Sequence, residues 1–375
     1  MRAKPSKTIR LFLCGDVMTG RGIDQILSSP GNPKLHESYV KDARRYVALA
    51  ESINGKIPRP ITWNYIWGDA LTALDQADTD IRIINLETAI TSSNDYWRGK
   101  SIHYRMHPRN IPCLTSAAIH CCCLANNHIL DWGYEGLTET LITLDRVGIA
   151  HAGAGCDSAA ASEPAVLEMP EKGRVLVFSY GMTSSGIPQE WAATSHRPGV
   201  NLLENASEST AKRIAREMID LSNSGDAIVA SIHWGGNWGY AIRQDELDFG
   251  RSLIDHGIHV VHGHSSHHVK TVEIHRGGLL LYGCGDFIND YEGIRGHEIY
   301  RPDLAIIYLV DINLPKNRIS DLQMLPMKVR RFRLERASIE DAAWLTRLLK
   351  RLGSDSFTRV NLEDDYAIAA SSNNS

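Results

Sequence analysis

The chain has 375 residues, 43% apolar and 22% charged, with 40 Lys and Arg against 44 Asp and Glu for a formal charge of -4. That balance belongs to a folded chain of one large domain or two modest ones; it excludes wholesale disorder and a coiled coil, and it supplies no electrostatic footprint for nucleic acid. No run of about 18 apolar residues occurs, and the basic first residues lead into an apolar stretch too short for a secretory signal, so the expectation is a cytoplasmic chain with no membrane partner.

Short runs rich in Ile, Leu and Val, bounded by Gly, Asp or Asn, alternate with amphipathic stretches, which is the α/β pattern. Strands are expected over 9–14, 81–85, 119–124, 175–180, 227–232, 260–262, 279–282 and 304–310. Helices are expected over 39–54, 67–75, 134–147, 208–222, 244–256 and 339–351. Residues 92–112 carry Tyr96, Trp97, Arg98, Tyr104, Arg105 and Arg109 with weak periodicity and read as a long loop able to cover a site. The end, 369–375, reads as frayed. No linker splits the chain, so the division is one catalytic domain over 8–310 and a C-terminal extension over 311–375 with one helix.

Cysteine is odd in number at seven, and Cys121, Cys122 and Cys123 stand together inside an apolar run, which suits buried reduced thiols better than a disulfide framework. Lying within a strand rather than at its end, they are not read as nucleophiles. Histidine numbers 16, and His256, His259, His262, His264, His267, His268 and His275 crowd one short stretch.

Several expected strands end in polar residues: Asp16, Glu87, Asn127, His233 and His264. Open α/β sheets place their ligand crevices at such ends. Two carboxylates, a carboxamide and several imidazoles form a donor set suited to Mn, Fe, Zn, Mg or Ca rather than to thiolate-seeking ions. Two divalent ions about 3.5–4 Å apart, sharing a bridging carboxylate, would use the whole inventory. Arg21 and the Tyr104–Arg105 pair are candidate contacts for an anionic small molecule or peptide, because the guanidinium fork matches phosphate or carboxylate. Trp238, with Trp234, could wall an organic substrate. Asp286, in a tight Gly-Cys-Gly-Asp turn, is placed to support the site from behind.

The motifs GDVMTGR (15–21), NLETAIT (85–91), LANNHILDWG (124–133), HAGAG (151–155), SIHWG (231–235), VHGHSSHH (261–268) and LYGCGDF (281–287) resemble the CapA group, named for poly-γ-glutamate capsule synthesis and related to calcineurin-like metallophosphoesterases. The resemblance spans about 8–310. It implies a four-layer α/β/β/α sandwich with two mixed sheets. It also implies that Asp16 and His267 hold one metal, that Glu87 bridges, and that Asn127, His233 and His264 hold the other. His128 matches the position that protonates a leaving group, with Asp131 placed to orient it. The chain departs from the phosphoesterase pattern at Met18, where a His is usual, and at Glu87, where an Asp is usual. The implied chemistry is metal-assisted hydrolysis or transfer on a phosphate- or amide-type substrate. A second reading is peptide Cα epimerisation of the lasso-peptide kind, pairing His128 with His297 or Asp290. A third is a metal-stabilised binding module without turnover.

Overall fold

Two mixed sheets stack face to face with helices on both outer sides, and the alternation of side chains along each strand builds these layers. The computed structural model describes residues 7–354, 358–363 and 367–372. In the strand Thr8–Leu13, Ile9, Leu11 and Leu13 enter a core shared by the two sheets, whereas Phe12 packs among helices. The strand Cys121–Cys123 repeats the pattern, with Cys121 and Cys123 between the sheets and Cys122 facing out. From the other sheet, Val175 and Val177 of Gly173–Met182 and Val229 of Ala227–His233 meet them. The alternate residues Leu176, Phe178, Ile228 and Ala230 lie under the helices Glu208–Leu221 and Gln244–Asp255. Three apolar clusters separated by two sheets give the four layers the resemblance implies. Each fully buried Val, Leu or Ile contributes about 1.5–3 kcal/mol.

In the first sheet, Thr8–Leu13 lies between Ile81–Leu86, which is parallel, and Leu304–Asn313, which is antiparallel. Asp16–Val17 pairs in parallel with both Ile81–Leu86 and Asp286–Ile288. In the second sheet Gly173–Met182, Ala227–His233 and Val260–His264 run parallel, joined through the two outer helices. Parallel strands end on one edge, so Asp16, Glu87, Asn127, His233 and His264 all arrive at the same rim.

Expected and observed elements agree to a few residues for the long strands and helices, with two substantive corrections. The helix expected from 39 starts at Arg44, because the Asp42 side chain accepts the Arg44 backbone N–H at 2.9 Å and holds a turn there. The division at 310 falls inside Leu304–Asn313, and the chain beyond it continues the first sheet through Arg318–Arg330, Arg333–Arg336, Thr358–Leu362 and Ile368–Ser372. The expected helix is present as Ile339–Leu352. Residues 369–372 of the supposedly frayed end belong to a strand, and 373–375 lie outside the described residues. All seven cysteines are free, and Cys156 alone is exposed. Among the described residues no helix is long and apolar enough to cross a membrane.

Candidate metal centre

Strand register brings the candidate ligands together in pairs. His233 and His264 stand opposite each other on parallel strands, and their Nδ1 atoms face at 2.7 Å. Asp16, at the head of the other sheet, puts Oδ1 3.9 Å from His264 Nδ1. One ligand atom each from Asp16, His233 and His264 lies within 4.8 Å of the other two, and all three side chains are buried. Burial holds both imidazoles well below their ordinary value, so each is a neutral base with a lone pair to give.

The surroundings carry more negative charge than they neutralise. Asp16 is pushed up to about 6 by burial and by neighbouring Asp286, and Glu87 is raised well above its usual range by burial and by Asp16. Asp16 and Glu87 share one donor, Asn85 Nδ2, which also reaches Glu87 Oε2 at 3.5 Å. Two buried carboxylates sharing one donor need a shared proton or a cation between them. The neutral imidazoles and crowded carboxylates therefore fit a divalent ion. Asp16 is held by Asn85 Nδ2 at 2.7 Å and by the Ser265 N–H at 3.2 Å.

The other expected ligands ring this group. Asn127 puts Oδ1 3.1 Å from His233 Nε2. His267 is engaged at both ring nitrogens, with Nδ1 2.9 Å from Asp286 Oδ1 and Nε2 3.0 Å from Asn237 Nδ2. Its burial disfavours the cation, but Asp286 outweighs this and raises His267 above its ordinary value.

Beside the candidate ligands lies a dyad. His128 Nδ1 is 2.6 Å from Asp131 Oδ2, and Nε2 faces Glu87 Oε1 at 3.6 Å. A carboxylate only accepts, so the neutral ring carries its proton on Nδ1 and leaves Nε2 bare toward the metal side. Burial, opposed by Asp131, brings His128 down to about 4. Asp131 is itself fixed by the Tyr104 N–H at 2.6 Å and by Lys100, which also donates to the Asn127 carbonyl and lies 3.0 Å from His128 Nδ1.

A family model described as "Bacterial capsule synthesis protein PGA_cap" matches residues 10–291. The chain belongs to that family. A probable polyglutamine synthesis accessory protein of Mycobacterium tuberculosis is 46% identical over 358 residues, covering 95% of this chain and 94% of that one. The PGA biosynthesis protein CapA of Bacillus subtilis is 23% identical over 318 residues, covering 84% and 70% respectively. A solved phosphatase from Mycoplasma pneumoniae resembles the structure with a TM-score of 0.47 at 9% identity, covering 86% of this chain and 94% of that one.

Within this PGA_cap chain the expected substrate contacts are placed differently from one another. Tyr104 is at the centre, its ring edge-on to His128 at 4.5 Å and its hydroxyl 2.9 Å from Tyr291. Arg21 is buried and spent on Asp290 at 2.5 Å and Glu37 at 3.0 Å, with its guanidinium 3.9 Å from the Tyr46 ring. It is a structural cation in this arrangement, and Asp290 is correspondingly occupied. Arg105 turns away from the centre to Asn32 and Ser93 and stacks over Trp132 at 3.8 Å. Trp238 lies 5.4 Å from the His267 ring and stacks on His297 at 3.7 Å. Trp234 is packed under the outer helices.

Lys100 is the functional candidate that the sequence reading passed over. It sits in the irregular covering segment, and nothing in its spacing marks it; only the fold carries it to Asp131. Asn85 and Asn126 had a signal, since Asn126 adjoins Asn127 and Asn85 lies two residues before Glu87. Asn126 holds the backbone, donating to Leu86 O at 2.9 Å and accepting from the His128 N–H at 3.1 Å.

Proposed function

We propose that the protein is a divalent-metal-dependent enzyme that hydrolyses or transfers at a phosphate- or amide-type bond, with the His128–Asp131 dyad moving the proton. The observation that carries this is adjacency: a buried Asp16–His233–His264 group next to an imidazole whose unoccupied Nε2 faces Glu87. Asp16, His233 and His264 would hold one ion. Glu87, Asn127 and His267 are the side chains that a second would draw on. A bound ion supplies polarisation of the scissile oxygen and a water activated near neutral pH. His128, neutral and oriented by Asp131, takes a proton at Nε2 and returns it to the departing group, while Tyr104 and Lys100 fix the dyad. The resemblance to calcineurin-like metallophosphoesterases supports hydrolysis. The relatives named for polyglutamine and PGA synthesis support a peptide-type substrate.

Epimerisation shares the base at His128 but needs a second proton carrier. Asp290 is bound by Arg21, which leaves His297 on the Trp238 face as the group available for that reading. The test is to load the protein with Mn²⁺ and supply bis(p-nitrophenyl) phosphate and, separately, γ-glutamyl peptides in D₂O. Nitrophenol or peptide cleavage, lost in His128→Ala with metal retained, is the expected result. Deuterium at Cα without cleavage would replace hydrolysis by epimerisation, and silence in both would leave a binding module.

A further inference from the structure

We propose that this centre takes one divalent ion and not a bridged pair, and that His267 is a clasp between the two sheets and not a ligand. This rests on the metal-centre reading above and narrows it. A divalent site needs several donors that converge on one point. Among the described residues one set of three His, Cys, Asp or Glu side chains does so, Asp16 with His233 and His264.

His267 is engaged all round. An imidazole that binds a metal gives one ring nitrogen to the ion and the other to a supporting partner. His267 turns both to protein, with Nδ1 2.9 Å from Asp286 Oδ1 and Nε2 3.0 Å from Asn237 Nδ2. Its backbone N–H also donates to the Asn237 carbonyl at 3.0 Å. The Tyr291 ring stands edge-on to the imidazole at 5.2 Å, and the Trp238 ring lies tilted against it at 5.4 Å, so the ring is packed as well as bonded. Asp286 begins a strand of the first sheet, and Asn237 lies in the turn that follows the second-sheet strand Ala227–His233. His267 therefore ties the two sheets together at the rim.

The other donors fall short of a second site. Asn127 Oδ1 is taken up at 3.1 Å from His233 Nε2. Met18, buried two residues past Asp16, offers a thioether, which suits soft ions and not Mn²⁺ or Mg²⁺, and its Sδ is 3.7 Å from the Tyr291 hydroxyl. Glu87, even with Asp16 shared, makes two protein donors, fewer than the three that an open catalytic site uses. Glu87 lies beside Asp16 on the common donor Asn85 Nδ2, where it completes the surroundings of one ion.

Calorimetric titration of metal-free protein with Mn²⁺ counts the ions, elemental analysis checks the count, and electron paramagnetic resonance tells an isolated Mn²⁺ from an exchange-coupled pair. The expected result is one ion per chain with the isolated-ion spectrum. His267→Phe keeps a packed ring and deletes both nitrogens; it should unfold at a lower temperature and still hold its ion, whereas His264→Ala should lose the ion. Should His267→Phe fail to fold, the count and the spectrum of the unaltered protein decide. Two ions per chain, an exchange-coupled spectrum, or a folded His267→Phe protein without its ion would overturn the inference. No ion in the unaltered protein, or an ion that survives His264→Ala, would overturn the metal-centre reading instead.

Discussion

Asp16 and Asp286 occupy paired positions on neighbouring parallel strands, so two carboxylates enter one wall of the buried centre. Asp286 is partnered by His267 at 2.9 Å and Asn289 Nδ2 at 2.9 Å, whereas Asp16 has Asn85, the Ser265 N–H and a second carboxyl, Glu87. The charge left over is on the Asp16 side, where the two neutral imidazoles converge. Binding of Mn²⁺ is therefore expected to stabilise the fold, by about 2.7 kcal/mol at a free concentration 100 times Kd. Asp16→Asn removes the charged ligand and should abolish the gain. Thermal unfolding with Mn²⁺ and with EDTA measures both; an unaltered protein indifferent to either reagent contradicts the assignment.

Lys100 joins the covering segment to the dyad through Asp131, the Asn127 carbonyl and the edge of His128. Its burial lowers its value, and the attraction of Asp131 only partly opposes that shift. Lys100→Met keeps the length of the stem and deletes the ammonium. Turnover should fall by about 10²-fold, the scale of a misplaced catalytic group, while bound metal is unchanged. Lys100→Arg should recover part of it. Loss of metal in Lys100→Met, read by elemental analysis, would instead make Lys100 a support of Asn127.

The candidate ligands stand out in the sequence because each lies at or just past the end of a strand, where an apolar run meets a polar residue. Asp16, His233 and His264 needed no knowledge of the strand order to be singled out. The contacts of Arg21 were not legible, since Glu37 and Asp290 come from segments 16 and 269 residues away. An isolated Arg near an expected ligand looks the same whether it meets substrate or a buried carboxylate. The strands beyond 310 were missed for a local reason: Arg318–Arg330 mixes charged residues with Pro326, which masks an alternation that its antiparallel partner Leu304–Asn313 makes plain.

That added region has its own electrostatic signature. Asp341, in the first turn of Ile339–Leu352, meets Arg301 at 2.6 Å and Lys328 at 3.1 Å, and Asp303 meets Arg301 at 2.8 Å. Burial would raise Asp341, but Arg301 and Lys328 outweigh it and hold the carboxyl below its ordinary value. A carboxyl lowered in the folded state contributes stability fully above its unfolded pKa of about 3.9, and that contribution is lost as the pH falls through the folded value. Asp341→Asn should therefore cost about 1 kcal/mol or less at pH 7, because the partners are partly exposed. The cost should shrink below about pH 4. Urea unfolding at pH 7 and pH 3 checks it; a penalty that does not change with pH would assign the effect to packing.

Gly15 sits where the two halves of the ligand wall touch. The Asp16 N–H donates to Gly285 O at 2.9 Å, and a Cβ at Gly15 would fall 1.8 Å from that same oxygen and 2.9 Å from Cys284 O. Backbone atoms cannot swing aside as a flexible side chain can. Gly15→Ala must therefore part Asp16–Val17 from Asp286–Ile288, at a cost of about 1–3 kcal/mol for overpacking alone. Because the separation moves Asp16 relative to Asp286 and His264, the loss should appear in metal affinity as well as in stability. Gly236→Ala, three residues past His233 and with no atom within 4 Å of the added Cβ, is the control. Calorimetric titration with Mn²⁺ beside urea unfolding separates the two effects, and a Gly15→Ala protein that is less stable yet binds Mn²⁺ undiminished would detach the strand contact from the metal centre.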